Sequence, residues 1–171
     1  MSDQPESPTL GVDAGPHLFD TGEALATHAL ALLEQTRRRA RLFTHDLESR
    51  LYDRNEILDA ISRVARQSRF ARVEVLVFDP RPAIRDGHRL IELARRLSSF
   101  IELRQVHDDY QQDPTAFALF DDRGLLYRSQ HALLNGFADY NAPNACQEKH
   151  KYFQEVWEKS SPVQEFRRLY L

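Results

Sequence analysis

The residues best equipped for chemistry form three short groups. They are Thr44, His45 and Asp46; Asp79 and Arg81; and His107, Asp108, Asp109 and Tyr110. Arg and His recognise phosphate or carboxylate, and a neighbouring carboxylate orients them. His107 with Asp109, or His88 alone, has the composition of an acid–base group. The candidate ligand-binding set is therefore Asp46, Asp79, Arg81, His88, His107, Asp109 and Tyr110. Each has a competing structural role. Asp46 and Asp79 suit the start of a loop, where Asx side chains bond their own backbone. His88 stands beside Arg89 in a helical pattern, as an exposed or half-buried helix residue. His45 and His107 read equally as lone surface histidines. Tyr52, Tyr110, Tyr127 and Tyr140 either line a pocket or pack at the core edge.

Other chemistries are absent from the pattern. There is no glycine-rich phosphate loop, no G-x-S-x-G elbow, no H-E-x-x-H and no dinucleotide fingerprint. His28, His131 and His150 show no metal-ligand spacing, and the single Cys146 excludes an internal disulfide and a multi-thiolate zinc site. No catalytic residue, metal ligand or cofactor is assigned.

The elements that must position these groups follow from periodicity. Residues 22–39 read as a helix capped by Thr21, with Leu25, Ala29, Leu32 and Leu33 on one side. A short strand spans 41–46. Asp53 and Glu56 read as a capping box opening a helix over 54–68, whose apolar stripe is Ile57, Leu58, Ile61 and Val64. VEVLVF, 73–78, is nearly continuous in apolarity, as a strand covered on both faces should be. Pro82 suits the first turn of a helix over 83–98, and 101–106 is a third strand. Strand, helix, strand, helix, strand with short connections predicts a parallel sheet. Two further strands, 116–120 and 125–128, flank Asp121-Asp122-Arg123-Gly124, a hairpin turn. An irregular stretch 130–145, a helix 146–159 stopped by Pro162 and a last short helix 163–170 complete the chain. The fold class is α/β: a βαβαβ mixed sheet with a C-terminal β-hairpin and flanking helices. In such sheets ligands bind beyond the carboxyl ends of the parallel strands, which is where the three polar groups fall.

Residues 1–20, with three prolines, two glycines and four acids, read as a flexible N-terminal arm, and 21–171 as a single domain. No apolar run approaches the roughly 20 residues that span a bilayer. The start is polar and acidic, unlike a secretory signal, so the expected location is cytoplasmic. Net charge is −3, and 20 of the 23 cations are Arg. They are uneven: 37–104 carries sixteen Arg against ten acids, while 1–36 has six acids and no Lys or Arg. That basic segment raises nucleic-acid binding as a possibility. Its arginines are interleaved with acids, however, with no uninterrupted stripe beyond 37–41, which weighs against it.

The segments ARLFTHDLESRLYD, ARVEVLVFDPRPAIRDGHRLIELARRLSS, IELRQVHDDY and AFALFDDRGLLYRS resemble a phospholipase-D-like half domain. More narrowly, with DPRPAIRDGHRL as the specific stretch, the chain is similar to a bacterial group often found C-terminal to GNAT-type acetyltransferase domains. The resemblance covers residues 18–160. It implies the fold, an acetyltransferase-type or other protein partner, and a homodimer, because such sites are built from two half domains. The family's catalytic motif is H-x-K followed, after four intervening residues, by D; its His is a phosphoryl nucleophile and its Lys holds phosphate charge. The best register places Thr115, Phe117 and Asp122 there. Only the Asp matches, so the resemblance implies a degenerate site.

The expected function is a non-catalytic ligand-binding or regulatory domain taking a phosphorylated or other anionic small molecule. A nucleic-acid-binding protein and a cryptic phosphoryl-transfer or hydrolytic enzyme are the alternatives. The aromatic C-terminal face, Tyr152, Phe153, Trp157, Phe166, Leu169 and Tyr170, adds an argument for a homodimer, because exposed apolar patches mark interfaces.

Overall fold

A computed structural model describes residues 7–163. Its centre is one eight-stranded sheet, in the order β1 (Pro16–Phe19), β7 (Gly136–Asp139), β6 (Gly124–Arg128), β5 (Ala116–Phe120), β2 (Arg39–Thr44), β3 (Arg72–Val77), β4 (Ile101–Gln105), β8 (Ser161–Pro162). Strands β2, β3 and β4 are parallel. Their carboxyl ends therefore share one edge. β5, β6 and β7 run as an antiparallel meander from β2, and β8 pairs with β4.

Alternation along each strand divides the core into two layers. Leu42, Val75, Ala118 and Leu126 face a layer closed by α1 (Gly22–Gln35), α2 (Asn55–Arg66) and α4 (Arg89–Arg96). Phe43, Leu76, Phe117, Leu119 and Leu125 face α5 (Pro143–Lys159), which contributes Phe153, Val156 and Trp157. Both faces of the parallel strands are thus covered, as their near-continuous apolarity requires. Phe153 and Trp157, expected as surplus surface, pack on the chain's own sheet. Phe166, Leu169, Tyr170 and the short helix expected over 163–170 lie outside the described residues, save for Val163, which is buried in the first layer.

Several local expectations are corrected. Residues 16–19, placed in the flexible arm, form β1 (Pro16–Phe19), an edge strand antiparallel to β7. Earlier arm residues are tied down as well: Leu10 N–H donates to Gln35 Oε1 and Gly11 N–H to the Tyr140 carbonyl. The capping box does not form. Asp53 instead accepts from Arg89 Nε at 2.6 Å, and a π-helical turn, Glu48–Tyr52, precedes α2. The helix expected over 83–98 is two helices, α3 (Arg81–Arg85) and α4, broken where Gly87 adopts φ +68°. β7 lies inside the stretch expected to be irregular, and α5 begins at Pro143, which suits the first turn because its missing N–H has no helical partner there anyway. Asp121 and Asp122 hold the hairpin turn with φ of +54° each, a conformation Asp tolerates. Asp121 also accepts backbone amides from Arg37, Arg38 and Arg39, tying the hairpin to the start of β2.

Candidate functional site

A pocket of about 870 Å³ opens at the carboxyl end of β2. Its walls are the start of α1, the loop from His45 through the π-helical turn, and residues 131–134. Asp46 is the one member of the expected ligand set that lines it.

The loop after β2 is strained. Leu47 and Glu48 take φ of +69° and +31°, the left-handed region that non-glycine residues avoid. Three contacts hold it. Asp46 Oδ1 accepts the Glu48 N–H at 3.0 Å, the Asx role weighed for it. His88 Nε2 lies 2.9 Å from the Leu47 carbonyl. Glu48 Oε1 pairs with Arg128 Nη2 at 2.5 Å. Burial pushes the Glu48 carboxyl up, and the Arg128 charge beside it pulls the other way.

Arg128 joins the two walls. One Nη1 donates to the carbonyls of His131 and Leu133 at 3.0 and 2.9 Å while Nη2 holds Glu48. At the mouth, the His45 and His131 rings stack with centroids 4.0 Å apart and planes 3° from parallel. Burial, and then the His45 charge, hold His131 below the ordinary imidazole range. Across the pocket, Arg54 Nη2 donates to Glu23 Oε1 at 3.0 Å. The pocket's carboxylates are thus each engaged by a cation or an amide. Arg50, on the π-helical turn, has no ion pair among the described residues.

The other expected residues fall elsewhere. Asp79, Arg81 and His107 share the pocket's edge of the sheet because their strands are parallel, but they do not converge on it. Arg81 grips Asp79 with two bonds of 2.8 and 2.9 Å and holds its carboxyl below the usual range; the Arg81 side chain is 85% exposed. Asp79 Oδ1 also accepts the Arg81 N–H, again an Asx role. His107 caps a single 3-10 turn, Asp108–Tyr110, accepting from the Asp109 N–H, with its ring 3.6 Å from Asp109. Tyr110 donates to Glu155 of α5 at 3.1 Å. His88, expected on a helix face, is 4% exposed and is the N-cap of α4. Its Nδ1 accepts the Leu90 N–H, so both ring nitrogens are used inside the protein. Burial holds it below the ordinary imidazole range.

Sequence reasoning missed His131, Arg128, Glu48 and Arg50. Arg128 ends the second strand of the hairpin and His131 lies in the loop after it, and nothing in their local spacing links them to residue 45. That link is the antiparallel pairing of β5 with β2 and β6 with β5, which brings the end of β6 to the end of β2.

The positions in register with the phospholipase D motif are occupied by structural contacts. Thr115 Oγ1 donates to Asp113 Oδ1 at 2.7 Å, and Tyr152 donates to the same carboxylate. Phe117 is 3% exposed and stacks on Phe43 at 4.6 Å, with Lys149 Nζ 5.3 Å from its ring. Asp122 pairs with the buried Arg41 at 2.6 Å. Among the described residues no group of three or more His, Cys, Asp or Glu is placed to hold a metal ion, and no helix is long and apolar enough to cross a membrane.

Comparison with solved structures places this architecture. TrmBL2, an archaeal chromatin protein described as showing a novel mode of DNA binding, is similar with a TM-score of 0.65 at 14% identity, over 94% of this chain and 57% of that one. The phospholipase D family member Nuc from Salmonella typhimurium is similar with a TM-score of 0.61 at 11% identity, over 87% of this chain and 99% of that one. Phosphatidylserine synthase from Haemophilus influenzae Rd KW20 gives 0.63 at 14% identity, over 91% and 41%. The chain thus spans little more than half of TrmBL2 and less than half of the synthase, but nearly all of Nuc. At these identities the likeness is one of fold, and the fold is phospholipase-D-like. No curated protein matches the chain in sequence. A family model described as Domain of unknown function (DUF7931) matches residues 21–169, from the N-cap of α1 to beyond β8, and the chain belongs to that family.

Proposed function

We propose that this chain is a non-catalytic ligand-binding domain of phospholipase-D-like fold, whose pocket takes a small anionic, phosphorylated molecule. The observation that carries the reading is Phe117. In the register given by the resemblance, it stands where a Lys would hold phosphate charge, and it is buried in an aromatic stack. Thr115, in the nucleophile's place, is bonded to Asp113. Thr115 offers no imidazole to form a phosphohistidine, and Phe117 no charge to neutralise a phosphate.

The pocket supports the binding half. Its volume lies within the roughly 300–1,000 Å³ usual for small-molecule sites. Its acids are engaged, while Arg50, the stacked His45 and His131, and the residues that open α1 line it. A negative charge there would favour protonation of His131, so binding should tighten as pH falls towards 6. The test is a thermal-shift series with inorganic phosphate, pyrophosphate, AMP and glucose 6-phosphate at pH 6.0 and 7.5. A ligand at about 100 times its Kd stabilises by roughly 2.7 kcal/mol. The reading expects at least one of these to raise the midpoint, more at pH 6.0, and expects Arg50→Ala with His45→Ala to remove the shift. A shift unaffected by both substitutions would place the anion elsewhere and refute the pocket.

A further inference from the structure

The opposite edge of the sheet, at the amino ends of β2, β3 and β4, carries a second feature. The sheet brings Arg37, Arg38 and Arg39, at the start of β2, beside Arg69 and Arg72, at the start of β3; Arg39 and Arg72 are register partners. Arg96, in the last turn of α4, precedes β4. Adjacent strands lie about 4.8 Å apart, so these side chains crowd a narrow strip. All six are exposed, and among the described residues none forms an ion pair with a carboxylate.

The contrast with the pocket edge is sharp. There Arg54, Arg81, Arg85, Arg89 and Arg128 are each held by an acid. The acids bordering the basic strip are mostly occupied. Asp122 is bound by Arg41, Glu102 by Arg104, and Asp121 by three backbone amides, leaving Glu34 at the end of α1. Interleaving in the sequence therefore does not carry over into space: most arginines at the pocket edge, Arg50 excepted, are paired with an acid, while the six on this strip are not. The negative end of a helix accounts for an Arg in a last turn, such as Arg96. It does not account for Arg69 and Arg72, in a turn and at a strand start.

An aromatic ring stands in the middle of the strip. Phe70 is 67% exposed, and the Arg69 guanidinium lies over it at 4.7 Å. Arg72 lies over Phe100 at 5.6 Å. An exposed ring flanked by planar cations offers a base a stacking face and its phosphates bidentate donors. A membrane surface would call for several apolar side chains to insert, and among the described residues of this edge Phe70 is the large hydrophobic side chain left exposed.

We propose that this edge binds single-stranded nucleic acid, with Phe70 stacking on a base and Arg38, Arg39, Arg69 and Arg72 contacting phosphates. The site is separate from the pocket, so either can fail without the other.

The test is fluorescence anisotropy with a labelled oligothymidylate of about 20 nucleotides, longer than the roughly 4–16 that such surfaces cover. Four phosphate contacts give a salt slope near −2.8, so affinity should fall about 50-fold between 50 and 200 mM salt. Phe70→Ala should weaken binding by about tenfold, as loss of one stacked base does. Arg38→Ala, Arg69→Ala and Arg72→Ala, made singly, should each flatten the salt slope by about 0.7. Arg85→Ala, on the other edge, should change nothing. Circular dichroism confirms that each variant is folded. No binding at 50 mM salt, or binding indifferent to Phe70 and the three arginines, would overturn the proposal. So would capture by phosphatidylglycerol vesicles without oligonucleotide binding, which would assign the strip to a membrane surface.

Discussion

Arg128 shows how much a single buried side chain can organise. It satisfies two carbonyls of the 131–133 loop and the buried Glu48 carboxylate, so it fixes both walls of the pocket. Removing one partner of a buried ion pair typically costs about 3–5 kcal/mol, because the other charge is stranded. Arg128→Ala should therefore lower the unfolding free energy measured by urea titration by about that amount and abolish ligand-induced shifts. A loss below about 1 kcal/mol with intact ligand shifts would show that the walls hold without it. The sequence does not mark this residue: an Arg at the end of an apolar strand reads as solvent-facing. Asp46 and Asp79 were legible, since an Asx following a strand binds its own backbone whatever the fold. His88 was visible as a residue of interest but misplaced, because its capping role depends on Gly87 ending α3.

At the scale of elements, the parallel core was legible from its periodicity, and the edges were not. β2, β3, β4 and the β5–β6 hairpin carry long apolar runs that specify burial on two faces. β1, β7 and β8 are four residues or fewer and owe their strand state to the neighbour they pair with. β7 also depends on Gly136. A Cβ there would stand 2.1 Å from the Tyr127 carbonyl oxygen, a backbone atom that cannot swing aside. An ordinary strand Gly→Ala change is neutral or slightly stabilising in propensity. Gly136→Ala should instead separate β6 from β7, lower the melting temperature by more than the 4–8 °C that about 1 kcal/mol represents in a small domain, and speed amide exchange in β1 and β7. Unchanged exchange in β1 would show that the strand is held independently of β7.

In the molecule as a whole, burial depresses the titration of four histidines. His28, His88, His131 and His150 are all held below their ordinary value of 6.5, chiefly by burial. The unfolded chain then binds more protons than the folded one below that value, so stability rises with pH across the window. Their contribution is complete above about pH 6.5 and is lost as pH falls below it. Glu48, pushed up by burial, acts in the opposite direction, above its ordinary carboxylate value. Urea midpoints should fall between pH 7.5 and 5.5, and His88→Gln should flatten that fall. A midpoint constant across this range would contradict the burial of these rings.

The domain is proposed to bind its ligand without hydrolysing a phosphodiester. The measurement that tests this most directly is hydrolysis of bis(p-nitrophenyl) phosphate at pH 7.5 by the purified chain, with Thr115→Ala as its partner. With Phe117 buried on Phe43 and Thr115 bonded to Asp113, the account predicts no release of nitrophenol above the uncatalysed rate from either protein. Turnover by the natural chain that disappears in Thr115→Ala would contradict it.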